Sequence, residues 1–453
     1  MARSPSLSAV EQRWLRNACR ADRGGWIHLH IEGEPRTRGF QHGYLMAREL
    51  ADILAQVRFT TRWDTGEDFG FFVGAARKLY TRHLDAELAA EIAGIAEGAT
   101  KGGTPLSFDE ALAWNAYIEM VWSWWPSAKG KSSGAALRRH HHCSSFIASG
   151  KGVTRDGGIV LAHNTWDSYL NANVFRLILD IVPARGHRIL MQGAPGLIHS
   201  GTDFFITGAG LVGSETTIAG FSGYDPEKRP EFVRVRRAMQ YAENLEEWIA
   251  TMKSGNNGGY ANSWLIGDVE SGEIARLDLS LEFPAVQRTR DGFFWGCNQV
   301  EDPRIRNQEC EGVDYSDITA GAARRVRLEH LLAAGRGRLD RNLAKRIVAD
   351  HYDLYHRRDN PCTRTICGHF DNDPGVPRHG PFAPFEPYGA NDAKITDSRM
   401  AREMSMLARF GRPCGKAFNA AAFLRRHPQY AWQAPFLKSK PKRPWTAFAA
   451  GTR

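Results

Sequence analysis

Between Gly25 and Gly33 the chain reads GWIHLHIEG, apolar and polar residues alternating at period two, the pattern of a strand with one face buried. Residues 8–20 carry helical spacing instead, and a 3.6-residue period predicts helix from about 39 to 62 and from about 74 to 98. In SFDEALAWNAYIEM, Ser107 and Glu110 form a capping box ahead of another amphipathic helix. The first third is therefore expected to be mainly helical. The texture then changes. PSAKGKSSGAALRRHHH (126–142) has almost no apolar content and reads as an exposed connection. From Cys143 on, short β-like runs dominate, at 144–149, 158–163, 173–182, 187–192, 203–207 and 210–219. Helical spacing returns near 231–254, strands at 262–267, 273–279 and 292–297, and helices at 320–334 and 341–356 before a Pro- and Gly-rich tail. No internal repeat is visible. Helices, then consecutive strands interrupted by two helices, then helices again do not make a doubly wound βαβ order. The order predicts an α+β fold of stacked, mainly antiparallel sheets with helices outside.

Charge narrows the function classes. Lys and Arg number 59 against 50 Asp and Glu, a net charge of +9. The basic clusters at 138–139, 234–237, 324–327 and 438–443 are scattered and read as solvated surface. No nucleic-acid-binding signature accompanies them, so no nucleic-acid partner is expected. The first twenty residues have no apolar core of a secretory signal, and no run of about eighteen apolar residues exists to span a membrane. The default expectation is cytoplasmic. The seven cysteines (19, 143, 297, 310, 362, 367 and 414) are odd in number and sparse, which argues against a disulfide framework. Cys362 and Cys367 are close enough in sequence to pair under oxidising conditions, and that question stays open. Cys297 and Cys310 read as structural.

The candidate chemistry starts at RRHHHCSSFIASG (138–150). Consecutive histidines alternate in direction on a strand and do not converge on one ion. With no HExxH, no CxxC pair and no second His/Cys cluster at zinc spacing, no metal and no cofactor are expected. The plain reading is a solvated basic loop followed by a buried core cysteine. A second reading is chemical. Scission between His142 and Cys143 would leave Cys143 at a new N-terminus, with an α-amine of pKa about 7.7–8.0 beside its own thiol. Nucleophile and general base would then share one residue, and the same thiol could make the cut by attacking the His142 carbonyl.

Five blocks in order resemble the phospholipase B-like family of N-terminal-nucleophile hydrolases: LAHNTWDSY (161–169), DFFITGAGLVGSETTI (203–218), YANSWLIGD (260–268), GFFWGCN (292–298) and HYDLYHRRDNPCTRTICGHFD (351–371). The upstream RGFQHGYLMAREL and ALAWNAYIE also fit the related autoproteolytic cysteine acyltransferases of the penicillin-biosynthesis type. The resemblance runs from Cys143 to Asp371, about half the chain. It implies a four-layer αββα sandwich and self-cleavage before Cys143. It further implies a fragment 1–142 that stays associated with a fragment 143–453, and hydrolysis of an amide or ester of an acyl-amide, small peptide or lipid. Carried over residue by residue, it makes Cys143 the nucleophile and has His163 and Trp166 line the site. Thr216 or Thr217 stands beside the nucleophile, Asn262 is the oxyanion donor, and Arg290 is the active-site arginine with Arg288 as its rival. Physically, a buried amide is a suitable fixed donor for an oxyanion, and an arginine near a thiol favours thiolate. Taken singly, each has a plain alternative: His163 and Trp166 as core, the threonines as strand content, Asn262 as a turn residue. Nothing places Asp203 and Glu215 together. VWSWWP (121–126) suggests either an aromatic wall or a helix end packed on the core. Acyl transfer to an amine, or a non-catalytic binding protein of the same fold, are the competing readings.

Overall fold

In the computed structural model, which describes residues 6–129, 143–201, 204–372 and 387–451, eighteen strands follow one another along the chain. The first nine are β1 (Cys19–Arg23), β2 (Trp26–Gly33), β3 (Cys143–Ser149), β4 (Val160–Ser168), β5 (Leu177–Pro183), β6 (Ile189–Gly193), β7 (Phe204–Thr207), β8 (Leu211–Thr217) and β9 (Asn262–Asp268). The rest are β10 (Ile274–Leu279), β11 (Ala285–Thr289), β12 (Gly292–Gly296), β13 (Tyr352–Asp353), β14 (Arg358–Asp359), β15 (Tyr388–Ala390), β16 (Asp392–Asp397), β17 (Ser405–Phe410) and β18 (Thr446–Ala449). A nine-stranded sheet has the order β1-β2-β5-β6-β7-β8-β9-β10-β11, and a seven-stranded sheet the order β12-β3-β4-β16-β17-β18, with β15 also on β4. All pairings in both sheets are antiparallel except β2 with β5.

Strand alternation explains how the sheets stack. Ile147 and Leu161 from the seven-stranded sheet share a core with Ile178, Leu190, Val212 and Leu265 from the nine-stranded one. The opposite face of the nine-stranded sheet, with Leu179, Met191 and Trp264, packs on the helices Glu231–Tyr241 and Leu245–Lys253 through Val235, Met239 and Trp248. The opposite face of the seven-stranded sheet, with Phe146, Ala162 and Ile395, packs on the helices Ala322–Ala334 and Arg341–Val348 through Leu328, Leu332 and Ile347. The result is the expected αββα sandwich. The helical first third packs an apolar cluster around Leu50, Phe72, Ile92 and Trp114 that also takes in Leu197, Ile198 and Phe232. Among the described residues, no helix is long and apolar enough to cross a membrane.

Several element boundaries differ from the pattern-based ones. The first helix stops at Leu15, and Cys19–Arg23 pairs with β2 in a hairpin. The long helix expected over 39–62 is two, Pro35–Leu45 and Ala47–Thr65, broken at Met46, where Arg20 Nη1 donates to the Leu45 carbonyl at 3.1 Å. The tail contains β15 to β18, which complete the seven-stranded sheet. In β16 the sequence DAKITD hides a strand because its inward residues are Asp392 and Lys394, paired with each other at 2.7 Å. The basic clusters 234–237 and 324–327 are not simply solvated either. Arg234, Arg236 and Arg324 are buried, and Arg236 and Arg38 both bond to the buried Glu91.

Candidate active site

Cys143 is the first residue of β3, and the strand is buried along its whole length. It pairs with Thr165 on β4, and Ser145 pairs with His163. Cys143, Ser145 and Ile147 therefore share a face, and Ile147 lies in the core between the sheets. Ser145 Oγ meets Ser214 Oγ of β8 at 2.6 Å, which fixes the two sheets' approach two residues from Cys143.

The main chain of Cys143 is held at both ends. Its N–H donates to Asn298 Oδ1 at 3.4 Å, and its carbonyl accepts from Arg324 Nη1 at 2.5 Å. Arg324 is 1% exposed. Its guanidinium also donates to Ser144 Oγ (3.0 Å), to the Cys297 carbonyl (3.2 Å) and to Asn298 Oδ1 (2.8 Å). Asn298 Nδ2 donates in turn to the Thr217 carbonyl at 2.8 Å. Because the N–H and the guanidinium are donors only, the amide oxygen of Asn298 must face them. Asn298 has φ +69°, a left-handed conformation that asparagine tolerates better than most residues. Burial pushes the Arg324 guanidinium and the Cys297 thiol in the directions of their neutral forms, the thiol up to about 11.

On the inner face, Lys394 Nζ donates to Thr165 Oγ1 at 2.5 Å and to Asp392 Oδ1 at 2.7 Å, and Gln192 Nε2 donates to Asp392 Oδ2 at 2.8 Å. A buried ion pair thus sits two strands from the nucleophile candidate, across β4. His163 is fully buried and pairs with both Ser145 and Lys394. It is a diagonal same-face neighbour of Cys143, roughly 7–8 Å away between α-carbons. Burial first, and then the Lys394 charge, hold its pKa well below the ordinary value, so it is neutral.

Thr216 also faces inward. Its Oγ1 is buried without a partner among the described residues and lies 2.7 Å from where a side chain at Gly296 would begin. Thr217 Oγ1 donates to Tyr260 Oη at 3.4 Å. Asn262 pairs with Thr217 at the start of β9, is fully buried, and has no hydrogen-bond partner among the described residues for either amide atom. Alternation from Trp264 puts its side chain on the helix side of the sheet, at the strand's open end. Beside it, Tyr260 holds φ +48° after two glycines and lies tilted against Trp122, ring centroids 5.8 Å apart, while its N–H donates to Ser123 Oγ. The VWSWWP stretch therefore reaches the site through Trp122, from a run of wide π-type turns, Met120–Trp124, a form frequent at functional sites.

Two of the sequence assignments are corrected. Arg290 lies on the turn between β11 and β12, at the far end of β3 where Gly292 pairs with Ser149, about 20 Å along the strand from Cys143. Its side chain is 70% exposed and lies 4.0 Å from Glu273. Arg288 is also remote, on β11 against Glu246. Arg324 is the arginine that bonds to Cys143. Trp166 is not an open wall: it is 1% exposed, faces the outer helices, and carries the Arg324 guanidinium 4.2 Å above its ring. His142 and Asp203 lie outside the described residues. Sequence reasoning missed Arg324, Lys394, Asn298 and Tyr260. Only Asn298 and Tyr260 stood in a quoted block.

Cys362 and Cys367 are not bonded: Cys362 Sγ donates to Asp353 Oδ2 at 3.4 Å, and Cys367 points to His369. The expectation of no His/Cys cluster is also corrected, by His351, Cys367, His369 and Cys414.

Residues 108–311 match the family model described as Phospholipase B. An uncharacterized protein of Archaeoglobus fulgidus is 25% identical over 293 residues, 59% of this chain and 46% of that one. Phospholipase B of Crotalus adamanteus is 25% identical over 332 residues, 66% of this chain and 55% of that one. Putative phospholipase B-like 2 of Mus musculus is 33% identical over 145 residues, 28% of this chain and 24% of that one. The chain spans about half the length of the first two of these relatives. A solved structure of a C2A mutant of conjugated bile acid hydrolase from Clostridium perfringens is similar at 11% identity and a TM-score of 0.34, over 59% of this chain and 89% of that one, too slight to bear on function.

Proposed function

We propose that the protein is a self-processing cysteine hydrolase of the N-terminal-nucleophile type. It cuts its own chain between His142 and Cys143, and then hydrolyses an amide, or an ester, of a small acyl compound, peptide or lipid through a thioester on Cys143. One observation carries this reading. The backbone nitrogen that scission would turn into an α-amine meets a buried amide oxygen of fixed orientation, and the adjoining carbonyl is held by a buried guanidinium. An inert core cysteine calls for neither.

In the first step Cys143 Sγ attacks the His142 carbonyl, the C–N bond to Cys143 breaks, and the nitrogen takes up a proton as the thioester forms. Water then cleaves the thioester, releasing the His142 carboxylate and the thiol. In turnover the α-amine accepts the thiol proton while Asn298 Oδ1 holds one amine hydrogen and so directs the lone pair. The thiolate attacks the substrate carbonyl. On the resemblance, the developing oxyanion is assigned to the Asn262 amide, which lies on the helix side of β9 but at the strand's open end and has no partner among the described residues, and the positive field of Arg324 favours the anion. Collapse expels the amine or alcohol, which takes the proton from the α-ammonium, and the amine then activates water against the thioester. Trp122 and Tyr260 offer an apolar face to the acyl group.

The test is acid-quenched turnover with a panel of N-acyl amides, lysophospholipids and acyl esters, followed by mass analysis of the peptide that begins at Cys143. An acyl adduct that hydroxylamine removes, together with free acid in solution, is expected. Transfer of the acyl group to an added amine would make the enzyme an acyltransferase. No adduct from any class, and no difference from Cys143→Ala, would end the hydrolase reading.

A further inference from the structure

Four side chains from three separate segments converge behind the candidate active site. His351 follows the helix Arg341–Val348, Cys367 and His369 flank Gly368, and Cys414 lies just past β17. Two imidazole nitrogens and two sulfurs, one ligand atom from each residue, all lie within 4.8 Å of one another. His351 Nε2 is 3.1 Å from His369 Nε2, and Cys367 Sγ and Cys414 Sγ are each 3.5 Å from that same nitrogen.

Hydrogen bonding does not account for this arrangement. An imidazole Nε2 offers one N–H or one lone pair, yet His369 Nε2 faces three heteroatoms at bonding range. A tetrahedral cation accounts for all of them at once. With metal–sulfur bonds of about 2.3 Å and metal–nitrogen bonds of about 2.0–2.1 Å, a tetrahedron sets two nitrogens about 3.3 Å apart and a nitrogen about 3.6 Å from a sulfur. The distances here are 3.1, 3.5 and 3.5 Å. Two soft thiolates with two imidazoles is a zinc donor set. The two thiolate charges cancel that of a divalent ion, so the filled site is neutral, which suits a site whose middle ligands, Cys367 and His369, are buried.

We propose that His351, Cys367, His369 and Cys414 bind one zinc ion in a closed, structural site. Four protein ligands leave no open position for catalysis. The ion would tie the segment around Gly368 to the end of β17. That segment supports the site directly. The Ile366 carbonyl accepts from Asn164 Nδ2 and Trp166 Nε1, both at 3.2 Å, and Gly368 abuts the Trp166 ring. Trp166 in turn carries Arg324, which holds Cys143. Zinc would thus brace the wall behind the nucleophile without touching the chemistry.

The test uses the whole chain, purified under reducing conditions without an immobilised-metal step. Elemental analysis is expected to find one zinc per chain that survives dialysis. Exchange for cobalt(II) should give the intense visible bands of a tetrahedral ion and a thiolate-to-cobalt band in the near ultraviolet. Cys414→Ser should lose both, Cys310→Ser neither, and a strong chelator should lower the wild-type Tm by several degrees. Metal-free wild type that takes up no cobalt would overturn the proposal. So would a cobalt spectrum lacking the thiolate band, which would place the ion on the histidines at 140–142. A Cys367–Cys414 disulfide, seen as two fewer titratable thiols and a mass lighter by two hydrogens, would overturn it as well. If Cys414→Ser does not fold, the wild-type cobalt spectrum decides.

Discussion

Arg324→Ala removes the group that joins the Cys143 carbonyl, the Cys297 carbonyl and the Asn298 amide. Asn298 Oδ1 keeps the Cys143 N–H, but the two carbonyls lose their charged donor. At about 1–3 kcal/mol per orphaned buried acceptor, offset in part by no longer burying a guanidinium, the loss comes to roughly 2–5 kcal/mol. Unfolding entropy of about 2.1 cal/mol/K per residue makes one degree of Tm worth roughly 1 kcal/mol in a chain of 453 residues, so Tm should fall by about 2–5 °C. Self-cleavage should slow far more than this suggests, because the carbonyl next to the reacting nitrogen is no longer fixed and misplacement by about 1 Å can cost about 10²-fold. Arg324→Lys keeps the charge but not the fork, and should fall between the two. The assays are differential scanning calorimetry and a gel time course of the uncut chain. A Tm within about 1 °C of wild type, with an unchanged cut fraction, would refute the clamp.

Asn262→Ala should leave stability unchanged or raised, since it deletes a buried amide without partners among the described residues, yet slow self-cleavage and turnover by about 10²–10³. Calorimetry beside single-turnover rates checks this, and equal losses in both would make Asn262 structural. Arg290→Ala, at an exposed turn, should change neither stability, beyond about 0.5 kcal/mol, nor processing. A processing defect in the same gel assay would restore it to the site. Burial holds the His42 pKa down at about 4, below the ordinary 6.5, so the unfolded chain binds the extra proton first. The stability His42 contributes is complete above about 6.5 and is lost, at about 1.4 kcal/mol per pH unit, as pH falls toward 4. His42→Gln, which can still accept from the Gly196 N–H, should show a shallower acid slope in urea titrations, and an identical slope would contradict the assignment.

The sandwich was legible because its strands alternate with apolar residues inside, as in GWIHLHIEG and the runs after Cys143. β16 was not legible, because an ion pair takes the place of its inward apolar residues. Cys143 was legible from a change in texture, a polar connection meeting a buried strand. Arg324 was not. In RRVR the buried guanidinium and its part-buried, ion-paired neighbours look alike in sequence, and only the packing of helix Ala322–Ala334 on the seven-stranded sheet separates them. The Arg290 assignment followed a local resemblance on a hairpin whose turn lies at the wrong end of β3. The His/Cys cluster escaped because its ligands are spread over 64 positions, from His351 to Cys414, and only the sheet closes that distance.

The central claim, that Cys143 cuts the chain before itself, is tested most directly by the intact mass of purified wild type beside Cys143→Ala. Wild type is expected as two fragments, the larger beginning at Cys143, and the mutant as one whole chain. Wild type that stays whole through prolonged and mildly acidic incubation, or a Cys143→Ala chain cut at the same bond, would contradict it.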